Sequence, residues 1–146
     1  MRVSDVLKSN QQTLATCIPE ESIVSICTRL SALNIGAFPV CDAHGTLVGI
    51  ISERDVVRAF AKDGARLADR HVRDLMTREV VTCAHDQTML EAEKLMHKHR
   101  VRHIPVVDGA KLVGMLSIRD IFVWRWQESR DEVNVLRDAM IAVRNR

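Results

Sequence analysis

Two halves of this chain carry one ordered pattern. Ala37-Phe38-Pro39-Val40-Cys41-Asp42 returns as His103-Ile104-Pro105-Val106-Val107-Asp108, an offset of 105 − 39 = 66. Val48-Gly49-Ile50-Ile51-Ser52-Glu53-Arg54-Asp55 returns as Val113-Gly114-Met115-Leu116-Ser117-Ile118-Arg119-Asp120, an offset of 120 − 55 = 65. Thr16-Cys17 and Thr82-Cys83 keep the first offset. Three separated blocks in one order mean two copies of one supersecondary unit, and any function is then built from paired sites. Half of 146 residues buries too little surface to be stable alone, so the copies must share a core.

Each copy reads as strand, helix, strand, strand, helix. In the first, Ala15 to Ile18 is a short strand, and Pro19-Glu20-Glu21-Ser22 opens a helix. Ile23, Ile26, Cys27, Leu30 and Leu33 keep helical spacing until Asn34-Ile35-Gly36 stops it. Ala37 to Cys41 and Leu47 to Ile51 form a hairpin across Asp42-Ala43-His44-Gly45, and Ser52 to Lys62 is a second helix. The second copy gives a strand at Val80 to Cys83, a helix at Gln87 to His99, and a hairpin from His103–Val107 to Lys111–Leu116. Its Asp108-Gly109 turn is one residue shorter, which accounts for the change of offset. The Leu47–Ile51 and Leu112–Leu116 runs lack alternation and should be buried on both faces.

The expected fold class is therefore α+β (α/β-like). Two β-α-β-β-α repeats pack sheet to sheet with pseudo-two-fold symmetry, followed by a C-terminal helical extension. The expected units are residues 1–62 and 72–125, joined by a polar linker at 63–71 and followed by a helix over 126–146. Val3-Ser4-Asp5-Val6-Leu7 and Val72-Arg73-Asp74-Leu75-Met76-Thr77 are the lead-ins. Near the end, Val133, Leu136, Met140 and Val143 make an apolar stripe that needs cover. Trp124 and Trp126 are about 200° apart on a helix and are read as packing residues.

Composition excludes several classes of function. A formal net charge of +2, 3% aromatic residues and no Tyr argue against a nucleic-acid binder. No apolar segment reaches the length of a membrane span, and the N-terminus carries no signal core, so a cytoplasmic protein is expected. Cysteines 17, 27, 41 and 83 form no C-x-x-C pair and read as buried reduced thiols. The six histidines lack a completing ligand set, which leaves no metal site, and no catalytic motif appears, so no enzymatic activity is expected.

The chemistry concentrates in the repeated Gly-x-x-Ser-x-x-Asp: Gly49/Ser52/Asp55 and Gly114/Ser117/Asp120. One reading is a helix cap, Ser at the N-cap and an acid three residues on, with empty clefts and a purely structural or dimerising role. The other is a ligand site, since a helix N-terminus favours phosphate and a carboxylate accepts both ribose hydroxyls.

Phe38-Pro39-Val40 and Ile104-Pro105-Val106, each followed by a hairpin and that motif, resemble the cystathionine-β-synthase (CBS) domain family. The segment Val81-Thr82-Cys83-Ala84-His85-Asp86-Gln87-Thr88 is similar to the family's opening. The resemblance implies a tandem pair, or Bateman module, whose clefts bind an adenosine-containing ligand: AMP, ADP, ATP, NAD(H) or S-adenosylmethionine. By position it assigns the ribose to Asp55 and Asp120, and phosphate to Ser52, Ser117, Arg54 and Arg119. Thr16 and Thr82 would touch the ligand. Ala37, Phe38 and Pro39, with His103, Ile104 and Pro105, would frame the base. Arg100, Arg102, His103 and Arg119 make the second cleft the more cationic, and it is expected to take the phosphate end. A sensor of this kind would form a homodimer and signal to an unidentified effector protein. His85 stands where the family favours proline, as at Pro19, and Ala37 against His103 makes the clefts unequal.

Overall fold

The structure, a computed structural model, describes residues 1–10 and 14–144. The elements are α1 (Val3–Asn10), α2 (Ile23–Leu33), β1 (Ala37–Cys41), β2 (Leu47–Ser52), α3 (Glu53–Asp63), α4 (Val72–Leu75), β3 (Cys83–Ala84), α5 (Met89–His99), β4 (His103–Asp108), β5 (Lys111–Ser117) and α6 (Ile118–Arg144). It is the mixed fold the repeat implies, with a C-terminal helix. Of the expected 126–146 helix, residues 145 and 146 lie outside the described residues.

The helix signals act where the sequence puts them. Ser22 caps α2 by accepting from the Ser25 N–H, and Asn34 closes that helix in the left-handed region at φ 51°. Thr88 and Glu91 form a full capping box on α5. Arg100 closes α5 with φ 53°. Asn tolerates that conformation and Arg does not, so Arg100 carries local strain that Asn34 avoids.

The two hairpins pair in matching register, Ala37 opposite Ser52 and His103 opposite Ser117. The tight turn of the second is Gly109-Ala110, with Gly109 at φ 59°. The opening strands are unequal. β3 runs parallel to β4 with the His85 N–H reaching the Val107 carbonyl, whereas the expected Ala15–Ile18 strand shrinks to one parallel bridge, Cys17 to Val40. The reason lies one repeat away: the counterpart of His85 is Pro19, which has no N–H to continue the ladder. One sheet therefore has two strands and the other three.

Two cores form, and each is closed by the lead-in of the other half. Val3 and Val6 of α1 pack with Met89, Ile104 and Leu116 of the second copy. Val72 and Met76 pack with Ile23, Phe38 and Ile51 of the first. Backbone bonds fix the exchange: Val3 N–H to the Gln87 carbonyl, and Val72 N–H to the Glu21 carbonyl. Segment 63–71 is not a loose polar linker. Residues 64–69 form a 3-10 turn with Leu67 buried in the first core. The two hairpins also meet, through a bridge from Thr46 to Lys111.

Three other expectations are corrected. β5 is not buried on both faces, because Lys111 and Val113 are exposed while Leu112, Gly114 and Leu116 are buried, a plain alternation. Cys27 is exposed on α2, unlike the other three cysteines. Burial pushes the Cys17 thiol up to about 12 and Cys83 to about 11, so both stay protonated. Trp124 does pack, against the second core, but Trp126 is 60% exposed.

Candidate functional site

A groove of about 310 Å³ runs between the two halves. That is near the lower end of the range for small-molecule sites. From the first half it takes Gly36, Ala37, Ile50 and the start of α3, Ser52 to Asp55, with Arg58. From the second it takes Thr77, Glu79, Val80 and Val81, then the turn from His99 to His103. Val80 and Val81 supply an apolar wall. At the α3 N-terminus the Glu53 N–H donates to the Gly36 carbonyl and the Asp55 N–H to the Ser52 hydroxyl, which leaves the Arg54 N–H without a partner among the described residues.

Local sequence builds the polar end. β2 runs straight into α3, so Ser52 is both the last strand residue and the N-cap. Its N–H and hydroxyl donate to Asp55 Oδ2 at 2.8 and 2.9 Å, and the Asp55 N–H returns to the Ser52 hydroxyl at 3.3 Å. All three bonds leave Asp55 Oδ1 without a partner among the described residues. The carboxylate is thus held by one oxygen, and Asp55 lines the groove.

The sister box is built the same way. Ser117 N–H and hydroxyl donate to Asp120 Oδ2 at 2.7 and 2.8 Å. Its second oxygen is already engaged: Asn10 of α1 donates from Nδ2 to Asp120 Oδ1 at 2.8 Å. The exchanged lead-in therefore fills the second acid's free valence. Leu7 of the same helix comes against Gly114, leaving no room there for a Cβ.

His103 sits where the halves touch. Its ring lies beside Gly36, where an added Cβ would stand 3.1 Å from Cε1 and 3.4 Å from a Glu53 carboxylate oxygen. A side chain at position 36 would displace the imidazole. Burial drives the His103 pKa below its ordinary 6.5, while the Glu53 and Asp120 carboxylates pull it back up and Arg102 pushes it further down.

Of the residues singled out from sequence, Ala37, Ser52, Arg54, Asp55, Arg100, Arg102 and His103 converge on this groove. The others do not line it. Ser117, Arg119 and Asp120 sit at the start of α6, with Arg119 exposed. The side chains of Phe38, Pro39, Ile104 and Pro105 are core rather than groove wall, with Phe38 and Ile104 wholly inaccessible. The Thr16 carbonyl accepts from Arg29, which also holds Glu21 and stacks 4.5 Å over Phe38. Thr82 is half-buried ahead of β3.

Arg100 and Arg102 of the second copy line the same groove as Asp55 of the first. Sequence reasoning passed over Glu53, Arg58, Glu79, Val80 and Val81. Glu53 lies inside the motif, and Arg58 follows Asp55 by three residues on the same helix, where helical spacing could have found it. Glu79 to Val81 lie in an irregular stretch: the strand expected over Val80 to Cys83 is shorter, with β3 confined to Cys83–Ala84.

Comparison with known proteins gives consistent relatives. The family model described as "CBS domain" matches residues 3–62 and 72–126. The mitochondrial CBS domain-containing protein CBSX3 of Arabidopsis thaliana is 31% identical over 92% of this chain and 69% of its own length. A CBS-domain protein of Agrobacterium tumefaciens superposes with a TM-score of 0.82 at 37% identity, covering 86% of this chain and 99% of that one. The CBS domain pair of protein MJ0100, solved with 5′-methylthioadenosine and S-adenosylmethionine, gives 0.75 at 27% identity over 88% and 98%. CBSX2, solved with AMP, gives 0.71 at 25% identity over the same shares.

Proposed function

Since the chain belongs to the CBS domain family, as a tandem pair, we propose that it is a non-catalytic regulatory module binding one adenosine-containing ligand in the groove between its halves. The observation that carries this reading is Asp55 at the start of α3, its Oδ1 without a partner among the described residues, lining one groove with Arg100 and Arg102. A ribose diol suits a fixed carboxylate oxygen, and phosphate suits the Arg54 N–H and the arginines. Val80 and Val81 would take a base face. Structural relatives solved with AMP, 5′-methylthioadenosine and S-adenosylmethionine support the class of ligand.

In this reading the proposed units are residues 1–62 and 72–125, and the receiver is an effector protein in the cytoplasm. No described helix is long and apolar enough to cross a membrane. A ligand spanning both halves would bias their relative angle, but only by its differential affinity for the two arrangements.

A second reading has a specific observation in its favour. Both Ser-x-x-Asp motifs form complete helix-capping bonds without any ligand, so the module could be purely structural. Calorimetry with AMP, ADP, ATP, NADH and S-adenosylmethionine separates the two. At least one should bind and raise the melting temperature, the linkage being about 2.7 kcal/mol at a hundredfold excess over Kd. Asp55→Asn should keep the fold and weaken binding roughly tenfold or more, as loss of a charged hydrogen bond implies. Asp120→Asn should change binding far less. Equal binding by parent and Asp55→Asn would reduce the carboxylate to a cap.

A further inference from the structure

α6 is 27 residues long, about 40 Å, and its buried residues, Ile121 and Trp124, both lie in its first two turns. Every residue from Trp126 to Arg144 is exposed. Most helical stability in proteins comes from packing of an apolar face, and the exposed part of α6 has an apolar face left uncovered.

The apolar residues on it keep a seven-residue period. Phe122, Trp126, Val133, Leu136, Met140 and Val143 are all more than half exposed. With Ser129 in the one gap, their spacing is 4-3-4-3-4-3 over three heptads. A sustained 3.5-residue repeat is the seam of a left-handed coiled coil, a narrower stripe than a globular core requires. Ile121 and Trp124, which do pack on the second core, lie off this seam. Trp124 is about 200° around the helix from both Phe122 and Trp126, so the seam faces away from the body.

The residues along the seam say what covers it. At its centre a β-branched Val133 at an a position is followed by Leu136 at d, the combination that selects two parallel strands. Glu132 then occupies g and Arg137 the following e. In a parallel, in-register pair, Glu132 of each copy meets Arg137 of the other, so the attraction occurs twice. In an antiparallel pair the e positions meet each other. Those are Arg130, Arg137 and Arg144, all cations. The one like-charge contact of the parallel arrangement, Arg125 with Arg130, is relieved within each chain: Arg125 pairs with Glu93, and Arg130 stacks 4.8 Å over Trp126.

We propose that Phe122–Val143 zips against the same segment of a second copy as a parallel two-stranded coiled coil. This holds whether or not the groove binds a nucleotide.

Sedimentation equilibrium of the full chain across a dilution series tests it. The parent and Val135→Glu, an exposed position one residue off the seam, should be dimers, and Leu136→Glu should be a monomer. Glu132→Arg and Arg137→Glu should each weaken dimerisation about tenfold, because two attractions become two repulsions. The double variant should return to within about twofold of the parent, since the pair is merely reversed. A monomeric parent would overturn the proposal, as would a Leu136→Glu protein as dimeric as Val135→Glu. A double variant no stronger than the singles would rule out the parallel register. Nucleotide calorimetry on Leu136→Glu keeps this result apart from the fate of the groove.

Discussion

Asp55 and Asp120 have the same sequence surroundings and the same capping bonds, yet they differ in one oxygen. Among the described residues Asp55 Oδ1 has no partner, and Asp120 Oδ1 is taken by Asn10, a residue from the far end of the chain. The motif and its caps could be read from residue types alone. The inequality could not, because nothing in the spacing places Asn10 beside residue 120. His103 shows the same division. Sequence marks it as the odd partner of Ala37, while only the packing puts it against Gly36 and Glu53. Its half-buried ring, whose pKa is lowered by desolvation, has a consequence for stability. With the folded-state pKa below 6.5, the unfolded chain binds the proton first as pH falls. The contribution is complete above about pH 6.5 and is lost as pH drops toward the folded value. Urea unfolding of His103→Gln should therefore show a shallower decline across mildly acid pH than the parent. Identical pH slopes would mean that His103 is not held neutral.

At the level of elements, the hairpins and helix caps follow the sequence closely because they depend on neighbours. Asn34, Ser22, Thr88 and Gly109 each act within a few residues. The short first strand was legible in principle, since Pro19 lacks the N–H that His85 supplies, but only once its register against Val40 is known. The lead-in exchange was not legible at all. Val3 and Val72 look equivalent in sequence, and either could close its own half. Thr77 makes the exchange specific by bonding both ways to Ile50 on the edge of β2. Gly49 is the complement of that contact: a Cβ there would stand 2.8 Å from Met76 Sδ and 3.0 Å from the Thr77 carbonyl. At Gly114 the obstruction is only the Leu7 side chain. Gly49→Ala should thus cost about 1–3 kcal/mol, as overpacking against fixed backbone does. Gly114→Ala should cost less, because Leu7 can turn aside. Denaturation midpoints in the reverse order would show that the lead-in at Thr77 is not anchored as described.

For the whole molecule, duplication is the fact that matters most. It explains two cores and two capping boxes, and the exchanged lead-ins make the halves one folding unit with a groove at their junction. That groove is composite, with the carboxylate from one repeat and the arginines from the other, so the chemistry does not exist in either half alone. A crystal grown with AMP examines this most directly. The account predicts one nucleotide per chain, its ribose hydroxyls within hydrogen-bond reach of Asp55 Oδ1, its phosphate toward Arg100 and Arg102, and Asn10 still bonded to Asp120. Density for AMP at Asp120 with the Asp55 groove empty, or at neither acid, would contradict it.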